Sequence, residues 1–385
     1  MQDSNTLIFD VPDAFVVESI IGQGAYGAVC KALFSEDQIA IKKIPHYSRS
    51  EDTARRVLRE IEILQNLQFC EQVVGCRLFF RPKSEEKDVY VAMDFIPSDL
   101  SSVIKNGAIA LDESVVRYIT CQLLLALRAL HRCNVLHRDV STRNILIHYN
   151  SQVFLCDFGL SRFFDPDEQL SFGVVTQWYR APEIIMDAAY SYASDVWSVG
   201  VILGELLLRR HLFPGKSNDS ANQLQLIFHL VGTPSKDVFD ENCSYWRASQ
   251  NAKNYALAYI ERRPCASTLV NLLSTAPVLH HAPGSALPPL AVQLAERLLQ
   301  FDPAKRPSAD EALRHPWFDP CRAFINEVIE HQDEETLPTF TPAQGMSLEE
   351  LVKRIEEVVP VFSEDLLVED EPANASAGVG QAPSA

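Results

Sequence analysis

A glycine-rich stretch near the start of the chain has the spacing of a phosphate-binding loop. The residues IGQGAYGAVC place Gly22, Gly24 and Gly27 in the pattern G-x-G-x-x-G-x-V between two strand-like runs. Glycines let backbone amides approach phosphate oxygens without obstruction by side chains. A glycine-rich hairpin that binds no ligand can have the same composition, so the neighbouring sequence must distinguish it from a phosphate-binding loop. The next run is strand-like and carries Lys42 in AIKK, whereas a dinucleotide-binding fold would continue into a helix.

Further motifs follow in a fixed order, and they contain the residue types used in phosphoryl transfer. A helical pattern over ARRVLREIEILQNL carries Glu60, which can pair with the ammonium of Lys42. Beyond it lie HRD at 137–139 followed by Asn144, DFG at 157–159 and APE at 181–183. Taken singly, each charged residue would be interpreted as a solvated surface charge. Taken in register, the motifs resemble those of eukaryotic protein kinases over roughly residues 15–318.

The resemblance implies a role for each motif. Asp139 would accept the proton of the substrate hydroxyl, while Asn144 and Asp157 would hold the Mg²⁺ ions that bridge the phosphates of ATP. Phosphoryl transfer depends mainly on positioning and on neutralising charge, which is why these residue types are required. The residues implied to contact the nucleotide are Ile21, Gly22, Gln23, Gly24, Ala25, Tyr26, Gly27, Ala28, Val29, Lys42, Met93, Asp94, Ile96, Asp99 and Leu146.

The same resemblance implies how the adenosine part is held. The adenine would lie between the glycine-rich loop and Leu146 and would bond to the backbone at Asp94 and Ile96. Met93 matches the gatekeeper position, and Asp99 is a candidate ribose contact. Ordinary core packing would also account for Met93 and Leu146, and the two interpretations are compatible.

The catalytic loop, HRDVSTRN, lacks the lysine that serine/threonine kinases carry two residues after the aspartate. Ser141 and Thr142 stand where the family has Lys-Pro, and Arg143 stands where tyrosine kinases have an arginine. We expect Arg143 to supply the missing charge, because a guanidinium there reaches the same phosphate from the other side of the loop. Three alternatives stay open: Arg143 is a surface arginine bound to nearby backbone, the chain is a pseudokinase that binds partners without transferring phosphate, or it is a tyrosine or dual-specificity kinase.

The segment before APE indicates the branch of the family. VVTQWYRAPE resembles the group that contains the MAP kinases and the cyclin-dependent kinases, in which the arginine matching Arg180 binds a backbone carbonyl and leaves a pocket for proline. Val175 and Thr176 complete that pocket, so the resemblance implies substrates with Ser/Thr-Pro sites. GAYGAVC, AKNYALAYI and SLEELVKRIEEVV favour MAP kinases, and LFPGKSNDSANQLQLIFHLVGTPS also looks like their nemo-like relatives.

The activation segment departs from the MAP kinase pattern. Where that family has Thr-x-Tyr, this chain has Ser171-Phe172-Gly173, so a double Thr and Tyr switch is impossible. The sequence instead predicts one phosphate, added to Ser171 by an upstream activating kinase and received by three family-matching arginines. These arginines are Arg59, Arg138 and Arg162. Under the alternative, Ser171 is unmodified and the arginines pair with local carboxylates.

An acidic run follows the kinase-like region. FINEVIEHQDEETLP places Asp333, Glu334 and Glu335 where MAP kinases have an acidic docking patch, which predicts binding of basic docking peptides. A run of like charges is more commonly a solvated face, and that alternative stays open.

The hydrophobic patterns predict an α+β chain with a sheet-rich part and a helix-rich part, and the resemblance implies the bilobal protein-kinase fold. Short apolar runs around one helix indicate a small antiparallel-sheet N-lobe, and long helical patterns indicate a larger, mainly helical C-lobe. Asp112 is a candidate cap for the helix ESVVRYITCQLLLALRALHR, and the resemblance pairs Arg306 with Glu183. The predicted boundaries are an N-terminal segment 1–14, N-lobe 15–97, C-lobe 98–318 with activation segment 157–183 and an insert at about 215–290, a C-terminal extension 319–363 that packs back on the kinase domain, and a disordered tail 364–385.

The composition of the chain excludes several kinds of binding partner and several kinds of structural site. The net charge of −17 argues against general binding to nucleic acid or to anionic membranes, because phosphate contacts need clustered basic residues. Nine scattered cysteines without a CxxC pair suggest neither a disulfide framework nor a zinc site. Neither a signal peptide nor a membrane-spanning run is predicted, so we expect a cytoplasmic or nuclear protein.

Overall fold

The computed structural model describes residues 9–24, 27–106, 110–164, 177–216, 219–239, 248–278, 289–338, 340, 343–363 and 366. The chain divides into two compact units. One contains Met1–Leu58, Cys76–Phe95 and Ala343–Ala385, and the other contains Arg59–Gly75 and Ile96–Pro342. Within the described ranges, no helix has both the length and the apolar character needed to cross a membrane.

The strands and helices follow one another as a sheet-rich part and then a helix-rich part. The strands are β1 (Phe15–Gly24), β2 (Gly27–Phe34), β3 (Asp37–Ile44), β4 (Cys76–Phe80), β5 (Val89–Asp94), β6 (Ser98–Asp99), β7 (Val135–Leu136), β8 (Ile145–Ile147), β9 (Val153–Leu155) and β10 (Arg162–Phe163). The helices are α1 (Glu51–Asn66), α2 (Leu100–Lys105), α3 (Glu113–Arg132), α4 (Pro182–Ile185), α5 (Tyr192–Leu208), α6 (Ser220–Val231), α7 (Gln250–Arg262), α8 (Leu269–Ser274), α9 (Leu290–Leu298), α10 (Ala309–Leu313), α11 (Arg322–Glu334) and α12 (Leu348–Val358).

The first unit is built on a five-stranded antiparallel sheet of order β1-β2-β3-β5-β4. One face of the sheet buries Phe15, Ile39, Phe80 and Tyr90, and the rings of Phe80 and Tyr90 stack at 5.2 Å. The predicted α+β architecture, with a small antiparallel sheet and a mainly helical remainder, is confirmed.

Residues from 343 onward belong to this first unit and complete its core. Phe362 is buried, and its ring contacts Phe80 at 5.5 Å and Phe15 at 6.0 Å. The backbone amide of Phe362 donates to the carbonyl of Arg81 at 3.0 Å, and the Arg81 side chain donates to the carbonyl of Val359 at 2.8 Å. The chain after α12 is therefore held by both apolar contacts and backbone hydrogen bonds.

The second unit is mainly helical, and α3 forms its centre. As the sequence predicts, Asp112 caps α3 by accepting a hydrogen bond from the amide of Val115 at 2.9 Å. Helix α3 buries an apolar stripe of residues that recur every three or four positions: Val116, Ile119, Leu123, Leu127 and Leu130. Helix α3 packs against α5 and α10, and it also contacts the short strands β7 and β9.

The predicted pair between Arg306 and Glu183 is confirmed. The two side chains make parallel hydrogen bonds of 2.7 Å, and both are almost completely buried. A bidentate pair of this kind is strong and directional, because two nitrogens of the guanidinium each donate to one oxygen of the carboxylate. The pair fixes the end of the APE motif against the segment between α9 and α10.

We predict that Phe362→Ala lowers the free energy of unfolding by about 3–5 kcal/mol, because it removes a buried ring from the core of the first unit. The matched control is Val361→Ala, since the Val361 side chain is 45% exposed and should cost less than about 0.5 kcal/mol. Urea unfolding measures both variants. Equal stability of the two variants would contradict a structural role for this ring.

Candidate active site

The catalytic loop begins at a buried carboxylate. Asp195 of α5 is fully buried and accepts hydrogen bonds from the backbone amides of His137 and Arg138, both at 2.9 Å. Burial alone would raise the pKa of Asp195, but these bonds and the His131 side chain outweigh it and lower the pKa. Arg138 has a φ of 69°, a left-handed conformation that the two bonds hold in place.

Asp139 is oriented by Asn144. The side-chain nitrogen of Asn144 donates to the Asp139 carbonyl at 2.9 Å and to its carboxylate at 2.7 Å. Burial, together with the charge of Asp157, raises the pKa of Asp139 to about 7 against the opposing effects of Asn144, Arg143 and Arg180. A carboxyl group with such a pKa can exchange a proton near neutral pH.

Arg143 lies near enough to Asp139 for its charge to affect that carboxyl group. Its positive charge lowers the pKa of Asp139, and its side chain is exposed. Ser141, which occupies the family's lysine position, is instead buried, with 7% of its surface exposed. The loop therefore presents a cation close to Asp139 from the position four residues after it.

The DFG motif lies directly beside the catalytic loop. The amide of Cys156 donates to the carbonyl of Asn144 at 3.0 Å, and Asp157 then turns through a left-handed φ of 63°. Asp157 also accepts a hydrogen bond from the amide of Gly159 at 3.4 Å. A β-carbon placed on Gly159 would lie 3.3 Å from Asp157 Oδ1 and 3.5 Å from Glu60 Oε2, so two carboxylates flank this glycine.

This donor set suits a hard divalent cation. Asn144 uses its side-chain nitrogen to hold Asp139, which leaves its side-chain oxygen as an acceptor. The carboxylate of Asp157 follows on the neighbouring backbone segment, and Mg²⁺ prefers oxygen ligands of both kinds. The residues predicted as metal ligands thus fit magnesium by chemistry.

The three arginines predicted to receive a phosphate gather at the start of the activation segment. Arg59 donates to the carbonyl of Ser161 at 3.1 Å, and Arg138 donates to that of Leu160 at 3.4 Å. Arg162 follows on β10, where it pairs with Leu136 of β7. Ser171 lies outside the described residues, so the single-site switch stays a prediction.

The glycine-rich loop is a hairpin between β1 and β2 in the first unit. Gly22 pairs with Val29, Gln23 with Ala28, and Gly24 with Gly27. Gly27 has a φ of 144°, and a β-carbon there would lie 2.0 Å from the carbonyl oxygen of Lys43, so only glycine fits. Ile21 is half exposed on β1, and Ala25 and Tyr26 lie outside the described residues.

The remaining predicted nucleotide contacts are divided between the two units. In the first, Lys42 and Met93 lie on β3 and β5, and Asp94 accepts a hydrogen bond from Arg77 at 2.7 Å. In the second, Ile96 precedes β6, and Leu146 pairs with Asp99. Asp99 also caps α2, because its carboxylate accepts bonds from the amide and hydroxyl of Ser102 at 2.9 and 2.7 Å. The pairing of Lys42 with Glu60 stays a prediction.

The predicted docking residues differ in their surroundings. Asp333 on α11 binds Arg128 at 2.5 Å and Arg132 at 2.8 Å, although its side chain is 49% exposed. Glu334 and Glu335 are exposed at the end of the same helix. Because the charge of Asp333 is already balanced by two arginines of α3, basic peptides would be attracted mainly to the two glutamates. Peptide docking here stays a prediction.

Sequence reasoning missed a buried polar chain under the catalytic loop. The hydroxyl of Thr142 is 2.7 Å from that of Tyr179, and Tyr179 donates to Glu205 at 2.9 Å. Glu205 is fully buried and contacts Nδ1 of His211 at 3.1 Å. Burial raises the pKa of Glu205 despite these bonds. The sequence signal for this contact was Thr142, which stands where the family has proline. Proline has no hydroxyl and could not form the hydrogen bond to Tyr179.

Comparison with known proteins finds a protein kinase family and three kinases of similar sequence. The family model described as "Protein kinase domain" matches residues 15–318. Mitogen-activated protein kinase 6 of Arabidopsis thaliana is 37% identical over 312 residues, which cover 80% of this chain and 73% of that protein. Extracellular signal-regulated kinase 1 of Candida albicans is 34% identical over 364 residues, covering 91% and 85%. Mitogen-activated protein kinase 1 of Oryza sativa is 38% identical over 314 residues, covering 80% and 73%. The resemblance to nemo-like kinases stays a prediction.

We predict that Thr142→Val lowers the free energy of unfolding by about 1 kcal/mol, because it removes one buried hydrogen bond while keeping the shape of the side chain. Thr142→Ser retains the hydroxyl and should stay closer to the wild-type protein. Urea unfolding of the three proteins measures the difference. A valine variant as stable as the wild type would show that the contact with Tyr179 contributes no stability.

Proposed function

Because this chain belongs to the protein kinase family and to its mitogen-activated branch, it is an ATP-dependent serine/threonine kinase, and we propose that its substrates carry proline directly after the phosphorylated residue. The proposal is supported by Arg180, which matches the arginine of the proline pocket in this branch and directly follows a residue that contacts the catalytic loop. The preceding residue, Tyr179, is hydrogen-bonded to Thr142 of that loop. The other two predicted pocket residues, Val175 and Thr176, lie outside the described residues.

The catalytic roles that we propose follow from the contacts of the second unit. Asp139 accepts the proton of the substrate hydroxyl, and its raised pKa of about 7 suits a base that works near neutral pH. Asn144 holds Asp139 in orientation and, with Asp157, provides the oxygen ligands for magnesium. When bound with ATP, Mg²⁺ neutralises the charge of the phosphates. In the first unit, Lys42 and the amides of the glycine-rich hairpin are the proposed phosphate contacts.

We further propose that Arg143 replaces the charge of the missing lysine. Its side chain is exposed, and its charge acts on Asp139. Ser141 cannot provide this charge, because a hydroxyl is neutral. This assignment distinguishes a working kinase with a relocated cation from a pseudokinase scaffold, and it explains the likeness to tyrosine kinases without requiring tyrosine specificity.

The substrate proposal is tested with full-length protein, activated by incubation with an upstream kinase preparation, and with Mg-ATP. We expect a Ser-Pro peptide to be phosphorylated with a kcat/KM at least about tenfold above that of the matched Ser-Ala peptide. Equal values for the two peptides would contradict the proline pocket. A matched Tyr-Pro peptide tests the dual-specificity alternative, and Asp139→Asn, which should lose about 10²–10⁴-fold in kcat, identifies any contaminating activity.

For the relocated charge, Arg143→Ala should lower kcat on the order of 10²-fold while leaving the KM for ATP nearly unchanged, because the lost charge acts mainly on the transferred phosphate. Arg143→Lys should retain most of the activity. The decisive variant combines Arg143→Ala with Ser141→Lys, which returns the cation to the family's position and should restore kcat. An Arg143→Ala variant with wild-type kcat would refute the assignment.

A further inference from the structure

A buried side-chain contact joins the catalytic loop to the segment that leads into the APE motif. The hydroxyl of Thr142, three residues after Asp139, lies 2.7 Å from that of Tyr179, the residue directly before Arg180. Thr142 is 1% exposed and Tyr179 is 7% exposed, so water has little access to the contact. All of these residues belong to the second unit. The contact therefore connects the loop of the catalytic base with the residue before Arg180.

The protons of this contact run in one direction. Glu205 is fully buried, and as an ionised carboxylate it only accepts hydrogen bonds, so the Tyr179 hydroxyl donates its proton to Glu205 at 2.9 Å. Because Tyr179 has no second proton, the Thr142 hydroxyl is the donor to Tyr179. The other oxygen of Glu205 accepts from the amide of Leu212 at 3.3 Å and lies 3.1 Å from Nδ1 of His211. Thr142 is thus anchored, through Tyr179, to a carboxylate of α5 that other groups also hold in place.

The segment around Tyr179 is a hydrogen-bonded turn. The amide of Arg180 donates to the carbonyl of Gln177 at 3.1 Å, which closes the turn. The carbonyl of Tyr179 accepts a hydrogen bond from the Ser198 hydroxyl of α5 at 2.9 Å. Because the turn is short and bonded at both of these points, a shift of the Tyr179 side chain is transmitted to Arg180, the next residue.

The catalytic loop is also constrained around Thr142. The carbonyl of Thr142 accepts a hydrogen bond from the amide of Ser101 at 3.0 Å, and the amide of Asn144 donates to the carbonyl of Ser141 at 2.9 Å. The side chain of Asn144 in turn holds the carboxylate of Asp139 at 2.7 Å. The Thr142 hydroxyl therefore links two hydrogen-bonded turns, one that holds the catalytic base and one that leads into the arginine of the proposed proline pocket.

We propose that Thr142 is a positioning residue for substrate recognition, because its hydroxyl, through Tyr179, fixes Arg180 relative to Asp139 and so sets the preference for proline. This inference rests on the proline-directed function proposed above. The proline pocket depends on the direction of Arg180, and the base has to meet the hydroxyl of the same bound peptide. A link between the two turns satisfies both requirements at once, and small errors in such placement are costly to the rate. Thr142 acts only through Tyr179, so it is not itself a catalytic residue.

Steady-state kinetics of the activated full-length protein with matched Ser-Pro and Ser-Ala peptides test the proposal. In Thr142→Val we expect the ratio of the two kcat/KM values to fall about five- to tenfold, because one buried hydrogen bond that positions the pocket is lost. The ratio does not depend on the fraction of folded enzyme, so a loss of stability alone leaves it unchanged. Thr142→Ser retains the hydroxyl and should keep the wild-type ratio, and the KM for ATP should stay the same in both variants. A wild-type ratio in Thr142→Val would overturn the proposal.

A double-mutant cycle tests whether the link runs through Tyr179. Tyr179→Phe keeps the ring and removes the hydroxyl, so it should lower the ratio at least as much as Thr142→Val does. The two changes together should lower the ratio no further than Tyr179→Phe alone, because both remove the same link. Additive effects would show that the two hydroxyls act separately, which contradicts the proposal.

The wild-type protein separates this proposal from the one on which it rests. Equal kcat/KM values for the Ser-Pro and Ser-Ala peptides in the wild type would refute the proline preference, and the role of Thr142 in it. A wild-type preference that Thr142→Val retains in full would refute only the role of Thr142 and would leave the proline preference established.

Discussion

Two backbone amides donating to one buried carboxylate determine the geometry on which the catalytic residues depend. Asp195 has no exposed surface, so its charge must be satisfied internally, and it is satisfied by His137, Arg138 and His131. These bonds hold Arg138 in a left-handed conformation that an arginine would otherwise avoid. Asp139 follows immediately, and its direction is a consequence of that turn. A residue of α5 thus fixes the backbone turn that leads into Asp139.

The departures from the family pattern in the catalytic loop are consistent with one another. Ser141 and Thr142 are both buried, and Thr142 has joined the polar chain of Tyr179 and Glu205. A lysine at position 141 and a proline at 142 would give the loop a charge and no hydroxyl. In this chain Thr142 of the loop is hydrogen-bonded to Tyr179, and the loop carries an exposed arginine at position 143. The catalytic loop thus has a buried hydrogen bond at Thr142 and an arginine at position 143, where the family pattern has lysine at 141 and proline at 142.

Local signals in the sequence predicted much of the fold and of the site. Asp112 and the stripe of α3 are local features, because a cap and a helical period are both contained within a few turns. The catalytic motifs were recognisable because each combines rare residue types at short spacing. The pair of Arg306 and Glu183 is distant in sequence and came only from the family resemblance. Contacts between residues that are distant in sequence and belong to no motif, such as Asp333 with Arg128, depend on tertiary packing and have no local pattern.

Arg128 shows where this protein differs from a minimal kinase domain. Its guanidinium is only 6% exposed, and its partners are Asp310 of α10 together with Gln332 and Asp333 of α11. The region matched by the family ends at residue 318, before two of these three partners. A chain shortened to that boundary would leave Arg128 with one of these three hydrogen-bond partners, which lowers stability because bonds to a largely buried cation are lost. We therefore expect a chain shortened to residue 318 to be less stable than one that retains α11.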